Sequence, residues 1–150
     1  MTEDIQPPTT SPVKILLVED DDADAKAVRR AFKSARISNE IVRVTDGIAA
    51  LELLRTTTDD ALTEPFILLV DINMPRMNGH EFVSELRNDP KLSRLVVFIL
   101  TTSNAHYDLK TAYQNNVAGY IVKEDAGRDF LRLADTLACY WRLVELPIGD

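Results

Sequence analysis

The chain has 150 residues, of which 45% are hydrophobic and 27% charged. This is the size and composition of one globular domain, and it excludes collagen-like, low-complexity and wholly disordered proteins. Seventeen Lys and Arg against 24 Asp and Glu give a net charge of −7, so we expect no nucleic-acid partner, because such a surface repels phosphate backbones. The single cysteine, Cys139, excludes an intramolecular disulfide and favours a reducing compartment.

We expect neither a membrane segment nor an export signal. The longest apolar run, at 95–100, is far shorter than a bilayer span. Residues 1–12 (MTEDIQPPTTSP) lack the basic flank and apolar stretch of a signal peptide, so we interpret them as a flexible polar tail. These features predict a cytoplasmic protein.

Short apolar runs predict the strands of a parallel sheet. In chain order they are KILLV (14–18), a weaker edge candidate EIVRVT (40–45), FILLV (66–70), LVVFIL (95–100) and GYIV (119–122). Their length and β-branched content are typical of strands buried on both faces. Segments with helical spacing follow each run. Five alternations of strand and helix predict one α/β unit with helices on both faces of the sheet.

The chemistry is concentrated where the predicted strands end. Glu19 and Asp20 follow the first strand, Asp71 the third, Thr101 ends the fourth and Lys123 follows the fifth. Ligands of doubly wound sheets bind at this edge. Carboxylates packed together resist ionising unless a cation offsets them, and an all-oxygen set without His or Cys suits magnesium better than calcium. The sequence therefore predicts a magnesium site.

Four segments together resemble the receiver domain of two-component response regulators. They are ILLVEDD (15–21), LLVDINMPRMNG (68–79), ILTTS (99–103) and GYIVK (119–123), in order and over nearly the whole chain. The resemblance implies a flavodoxin-like, doubly wound parallel sheet of five strands in the order 2-1-3-4-5, with five helices. It also implies that a histidine kinase transfers a phosphoryl group to an aspartate of this chain.

The resemblance also implies a role for each matching residue. Asp71 is similar to the phospho-acceptor, Glu19 and Asp20 are similar to the acidic pair that binds magnesium, and Asn73 is similar to the residue whose backbone carbonyl binds the metal. Thr101 is similar to the hydroxyl residue that binds the phosphoryl group, and Lys123 is similar to the cationic partner of that group. Tyr120 is similar to the switch aromatic. A phosphoryl group adds roughly −1.5 to −2 charge and three acceptor oxygens. We expect this charge to draw Thr101 inward and to let Tyr120 fill the vacated space.

One position departs from the receiver pattern. Receivers usually carry a proline, joined by a cis peptide bond, directly after the lysine, whereas here Glu124 follows Lys123. A cis bond to a non-proline residue costs about 2.5–4 kcal/mol, so the loop is either strained or trans, and a trans loop could move the ammonium. We therefore expect slower phosphorylation than in relatives that carry the proline.

The C-terminal part of the chain predicts a partner surface. A long helix is predicted over 126–144, within a receiver unit at 13–146 that is followed by a short tail at 147–150 and no output domain. Its apolar residues exceed what covering the sheet requires, so we expect a homodimer interface there; the residues proposed for it are Tyr140, Trp141, Val144 and Leu146. The alternative is that this helix only covers its own core.

A narrower resemblance concerns the kinase partner. The segments NMPRMNG (73–79), VVFILTTSN (96–104) and CYW (139–141) are similar to single-domain response regulators that accompany phytochrome-type histidine kinases. This resemblance implies a phytochrome-type kinase as the phosphoryl donor and signalling by protein contacts.

Other functions remain open on sequence alone. A receiver-like module could bind partners without being phosphorylated, as Glu124 favours. A phosphatase with an aspartate nucleophile needs a second titratable group two residues on, where Asn73 stands. A flavodoxin-like cofactor carrier needs a phosphate-cradling loop after the first strand, where the acids from Glu19 to Asp22 would repel an anion. The simplest interpretation of Asp24 is a first-turn acid of a helix, and of His80 and His106, solvated side chains.

Overall fold

The computed structural model describes residues 13–56, 66–127 and 130–143, with side chains described as far as residue 140. The elements are β1 (Lys14–Val18), α1 (Asp22–Ser34), β2 (Ile41–Val44), α2 (Gly47–Thr56), β3 (Phe66–Val70), α3 (Gly79–Asn88), β4 (Val96–Thr101), α4 (His106–Gln114), β5 (Gly119–Val122), a 3-10 turn (Lys123–Asp125) and α5 (Leu131–Leu143).

The five strands form one parallel sheet in the order β2-β1-β3-β4-β5. This confirms the predicted flavodoxin-like α/β fold and places the weak second strand at an edge. The pairings Val18 with Val70 and Val70 with Ile99 bring the carboxyl ends of β1 and β3 level, and β4 continues two residues further, to Thr101. The polar residues that follow these strands are therefore neighbours.

Alternate strand residues enter two separate cores, one on each face of the sheet. Ile15 and Leu17 pack with α1 and α5, whereas Leu16 and Val18 pack with α2 and α3. Because β1 and β3 are central strands, both of their faces are covered, which explains why they are continuous apolar runs rather than alternating ones.

The last helix begins later than predicted. We expected helix from residue 126, but α5 begins at Leu131. Gly127 has φ +89° and Phe130 has φ +61°, both in the left-handed region that a right-handed helix cannot contain. The predicted end at Val144 lies outside the described residues.

One guanidinium fastens the amino-terminal edge of β4 to the loop after α4. Arg87, at the end of α3, donates to the carbonyls of Ser93 and Leu95 at 2.9 and 2.8 Å and to those of Asn115 and Asn116 at 2.8 and 3.0 Å. These bonds satisfy four backbone acceptors in two loops that have no sheet partner there.

Within the described part of the chain, no helix is both long and apolar enough to cross a bilayer.

Candidate functional site

Three carboxylates meet at the carboxyl edge of the sheet. Oxygens of Glu19, Asp20 and Asp71 all lie within 4.8 Å of one another. Glu19 and Asp71 are buried, with 1% and 7% of their surface exposed, while Asp20 is exposed. One oxygen of Asp71, Oδ1, is buried and accepts no hydrogen bond. A buried acceptor without a partner beside two further carboxylates suits a hard divalent cation such as magnesium.

Lys123 brings a positive charge into this acidic edge. Its Nζ lies 2.8 Å from Glu19 Oε1, 2.6 Å from Asp24 Oδ2 and 3.5 Å from Asp71 Oδ2, and its side chain is 8% exposed. The described peptide bonds are all trans, including the one between Lys123 and Glu124. The trans peptide therefore does not carry the ammonium away from the site.

Burial and neighbouring charges shift the pKa values of Glu19 and Lys123 in opposite directions. Burial raises the pKa of Glu19 to about 7, although the hydrogen bond from Lys123 opposes the shift. Burial alone would lower the pKa of Lys123, but hydrogen bonds to Asp24 and Glu19 outweigh it and raise that pKa above its ordinary value. The ammonium therefore stays charged, and a cation bound beside Glu19 would favour its ionised form.

The loop after β1 is held in place by groups on both sides. Asp21 caps α1 by accepting from the Asp24 N–H at 3.0 Å, and its own N–H donates to Glu19 Oε2 at 3.1 Å. From β2, Arg43 Nε donates to the Glu19 carbonyl at 2.8 Å, and Arg43 Nη1 pairs with Asp22 at 2.8 Å. These contacts orient the acids after β1 before any ligand binds.

The loop after β3 carries Asp71 and Asn73. Asn73 is exposed, and Arg76 at φ +66° turns the chain back toward α3. Arg76 donates from Nε and a second guanidinium nitrogen to the buried Asp46 carboxylate at 2.7 and 3.0 Å, which lowers the pKa of Asp46. Asp46 also accepts from the Ala49 N–H at 2.9 Å. One carboxylate therefore caps α2 and holds the loop that carries the acidic site.

Thr101 and Tyr120 lie on adjacent strands at the same edge. Thr101 is fully buried while the next residue, Thr102, is exposed. The Ser103 N–H lies 3.4 Å from Thr101 Oγ1, and the Tyr120 hydroxyl donates to the Ser103 carbonyl at 2.9 Å. Tyr120 is therefore tied to the loop that follows Thr101.

Sequence reasoning missed a polar chain beside this loop. Ser103 Oγ donates to Asp108 Oδ2 at 2.6 Å, and His80 Nε2 lies 2.9 Å from Asp108 Oδ1. The bonds with Ser103 and His80 lower the pKa of Asp108. The expectation that His80 is solvated was wrong, because it is half-buried in this pair, whereas His106 is exposed as expected. Only a predicted packing of α3 against α4 could have indicated the pair.

The four residues predicted to form an interface are described only in part. Tyr140 is half-buried and meets the Phe98 ring edge-on, with centroids 5.1 Å apart and planes at 89°, so it contacts the core of its own chain. The side chain of Trp141 lies outside the described residues, as do Val144 and Leu146 entirely.

Comparison with known families agrees with the geometry. The sequence matches the model of the response regulator receiver domain over residues 15–134. The chain belongs to the response regulator receiver family. The matched range of this receiver domain includes every residue that lines the acidic edge.

Two curated relatives resemble this receiver domain along most of their length. A probable methanogenesis regulatory protein, FilR2 of Methanothrix harundinacea, is 35% identical over 130 residues, which cover 87% of this chain and 84% of FilR2. The response regulator Rcp1 of Synechocystis is 31% identical over 149 residues, which cover 98% of this chain and 99% of Rcp1.

Solved structures agree with this assignment. The Mn²⁺-bound form of Rcp1 has a TM-score of 0.76 at 31% identity, covering 91% of this chain and 99% of that one. The phosphorylated cyanobacterial phytochrome response regulator RcpA has a TM-score of 0.80 at 31% identity, with the same coverage of each chain. This receiver domain is thus close to response regulators related to phytochromes.

Proposed function

We propose that this receiver domain accepts a phosphoryl group from a histidine kinase onto Asp71 in a magnesium-dependent reaction, and that it signals through protein contacts. The observation that carries the proposal is the buried Asp71 carboxylate, whose Oδ1 has no hydrogen-bond partner and whose Oδ2 lies 3.5 Å from the Lys123 ammonium. A carboxylate so placed is free to act as a nucleophile next to a fixed positive charge.

The side chains at the acidic edge divide the work of phosphoryl transfer. A carboxylate oxygen of Asp71 forms a bond to phosphorus, while the bond from phosphorus to the kinase histidine nitrogen breaks and that nitrogen keeps the electron pair. Lys123 offsets the charge that gathers on the transferring oxygens. Glu19, Asp20 and Asp71, with the backbone of Asn73, would hold a magnesium ion, which adds further positive charge at those oxygens when bound.

A switch at β4 and β5 would report the new charge. The phosphoryl oxygens on Asp71 would accept a hydrogen bond from the Thr101 hydroxyl, which draws the loop after β4 toward the site. Tyr120 donates to the Ser103 carbonyl in that loop, so movement of Ser103 changes the support of its ring. The surface formed by α4, β5 and α5 would then differ between the two states.

The partner part of the proposal rests on similarity. Rcp1 and the phytochrome response regulator RcpA resemble this chain over almost their whole length, which supports a phytochrome-type histidine kinase as donor. A cytoplasmic location, a homodimer through the C-terminal segment and the absence of a nucleic-acid partner complete the proposal. Deleting residues 140–150 should roughly halve the sedimentation mass, and an unchanged mass would rule out a homodimer through this segment.

Phosphorylation is tested by incubating the protein with magnesium and acetyl phosphate and then measuring its intact mass. We expect a labile adduct of one phosphoryl group, which is absent without magnesium and absent from Asp71→Asn. If the wild-type protein takes up no phosphoryl group from acetyl phosphate or from any autophosphorylated kinase, it is a binding module instead. Adducts of equal yield on the wild type and Asp71→Asn would show that the acceptor is another residue.

The enzyme alternatives find less support. The position where a phosphatase needs a titratable acid holds Asn73, which is exposed and cannot titrate. A flavodoxin-like carrier would bind a phosphate where Glu19 and Asp20 converge with Asp71, and these charges disfavour a free anion. Phosphate release from a small phosphomonoester at a rate above that of Asp71→Asn would reverse this preference.

A further inference from the structure

The ammonium of Lys123 has a partner outside the set expected at the site. Its shortest contact is with Asp24 Oδ2 at 2.6 Å, compared with 2.8 Å to Glu19 and 3.5 Å to Asp71. Asp24 and Lys123 are 99 residues apart in the chain, so the fold, not local geometry, brings them together. The contact joins α1 to the turn after β5.

The backbone of Asp24 is fixed independently of this contact. Its N–H donates to the capping carboxylate of Asp21 at 3.0 Å, within the first turn of α1. The positive end of the helix dipole lies at this turn and attracts a carboxylate. Asp24 therefore presents a negative charge from a rigid position, with its side chain 30% exposed, to an ammonium that is 8% exposed.

The turn that carries Lys123 offers the ammonium little support of its own. Lys123 opens a short 3-10 turn with no side-chain cap, and the next two residues, Glu124 and Asp125, are exposed. A lysine side chain has four rotatable bonds, so external partners must select one position for its end. Among the described residues, Glu19 and Asp24 are the carboxylates that lie within 3.0 Å of the ammonium.

We propose that Asp24 is a positioning residue for phosphoryl transfer: it holds the ammonium of Lys123 against the acidic edge, so that one N–H remains directed at Asp71 and its phosphoryl group. The inference rests on the proposed function. The ammonium nitrogen lies 2.6 Å from Asp24 and 2.8 Å from Glu19, which can each accept one of its three protons and leave the third for Asp71 at 3.5 Å. Without Asp24 the ammonium moves within the site, and its charge no longer meets the transferring oxygens in one geometry.

The test compares Asp24→Ala and Asp24→Asn with Asp125→Asn. Asn keeps an oxygen acceptor, whereas Ala removes acceptor and charge. Asp125→Asn removes one negative charge from an exposed residue two positions after Lys123 and outside the ion-pair cluster, so it controls for the change in net charge. At saturating magnesium and acetyl phosphate, we expect Asp24→Ala to be phosphorylated about tenfold more slowly, a loss typical of one charge-assisted hydrogen bond. Asp24→Asn should fall between it and the wild type, and Asp125→Asn should match the wild type.

A second measurement does not depend on phosphorylation. Acetic anhydride labelling, read by peptide mass spectrometry, reports how firmly each lysine amine is held, with exposed Lys26 on α1 as internal reference. We expect Lys123 to be labelled several-fold faster, relative to Lys26, in Asp24→Ala than in the wild type or Asp125→Asn. A merely structural role of Asp24 in α1 would lower the free energy of unfolding and leave this ratio unchanged.

The two readouts separate failure of the inference from failure of the proposed function. If the wild type accepts a phosphoryl group but Asp24→Ala and Asp125→Asn do so equally fast, or Asp24→Ala is faster, Asp24 does not position Lys123 for the reaction. If the wild type accepts none, the proposed function fails and the role in transfer falls with it. The labelling ratio then still decides whether Asp24 holds the ammonium.

Discussion

Gly79 is the position where one added methyl group would reach the acceptor most directly. A Cβ on Gly79 would lie 2.4 Å from the Asp71 carbonyl oxygen and 2.9 Å from Ile72 Cα. Both neighbours are backbone atoms, so no side-chain rotation relieves the contact. The Gly79 N–H also donates to the Ile72 carbonyl at 2.8 Å, which fixes the start of α3 against the loop that carries Asp71.

The size of the effect of Gly79→Ala follows from these distances. Real Cβ contacts stay beyond 3.0 Å, so the start of α3 and the end of β3 must separate by about 0.6 Å. Overpacking of this kind costs about 1–3 kcal/mol of unfolding free energy. A displacement of about 1 Å at a reacting group can cost about 100-fold in rate, so we expect roughly tenfold slower phosphorylation of Asp71.

Gly47→Ala is the matched control. Gly47 is the first residue of α2, as Gly79 is of α3, and it is also buried. Its added Cβ would meet Met77 Cγ at 2.9 Å and Met77 Sδ at 3.0 Å, with Phe82 Cβ also at 3.0 Å. The flexible methionine can move away, so we expect Gly47→Ala to cost at least about 1 kcal/mol less than Gly79→Ala.

The assay is urea denaturation of both variants, followed by the time course of phosphorylation by acetyl phosphate under conditions in which both remain folded. We expect Gly79→Ala to lose both stability and rate, and Gly47→Ala to keep the wild-type rate. The reasoning is refuted if the two variants have equal unfolding free energies and equal rates. The same holds if Gly79→Ala loses stability while Asp71 reacts at full speed, because the backbone contact would then not reach the carboxylate.

Three further predictions concern the side chains that support the site. The Asp46 pKa is lowered in the fold by Arg76, so this pair stabilises fully above the unfolded pKa of about 3.9 and its contribution is lost as the pH falls through the folded value. Arg76→Ala should therefore lower the unfolding free energy at pH 7 and shrink its drop below pH 4 in urea titrations; parallel curves for both proteins would contradict this. Arg87→Ala leaves four carbonyls without their donor and should cost at least about 3 kcal/mol, whereas a urea midpoint equal to that of exposed Arg30→Ala would be inconsistent with the account. Asp108→Asn weakens the bonds with Ser103 and His80 and should cost about 1–2 kcal/mol in the same assay; a gain in stability would show that the half-buried charge is unfavourable.

The strands and the acids could be predicted from the sequence because those signals are local, whereas the strand order came from the resemblance to receiver domains. Continuous apolar runs mark strands covered on both faces, and the residue that follows each run is thereby assigned to one edge of the sheet. Glu19, Asp20 and Asp71 do meet there. The convergence of these three residues could be predicted because parallel strands bring their carboxyl ends together whatever the intervening sequence.

The contacts that support the site could not be predicted in this way. Asp24 and Lys123 are 99 residues apart, and His80 and Asp108 are 28 apart on different helices. Asp24 and His80 also had sufficient local explanations, as a first-turn acid and a solvated histidine. Only the rotation of each helix about its own axis decides whether such a group turns toward the site, and hydrophobic spacing fixes that rotation too coarsely.

The bonds of Arg87 have a consequence for α4. Since they hold the loop after α4 and the beginning of β4 to the end of α3, the carboxyl end of α4 is anchored to two elements, α3 and β4. Its amino end is joined to its surroundings by Asp108 through Ser103 and His80. A rearrangement of the loop after β4 would therefore move the amino end of α4, which Asp108 joins to that loop, while Arg87 holds the carboxyl end in place.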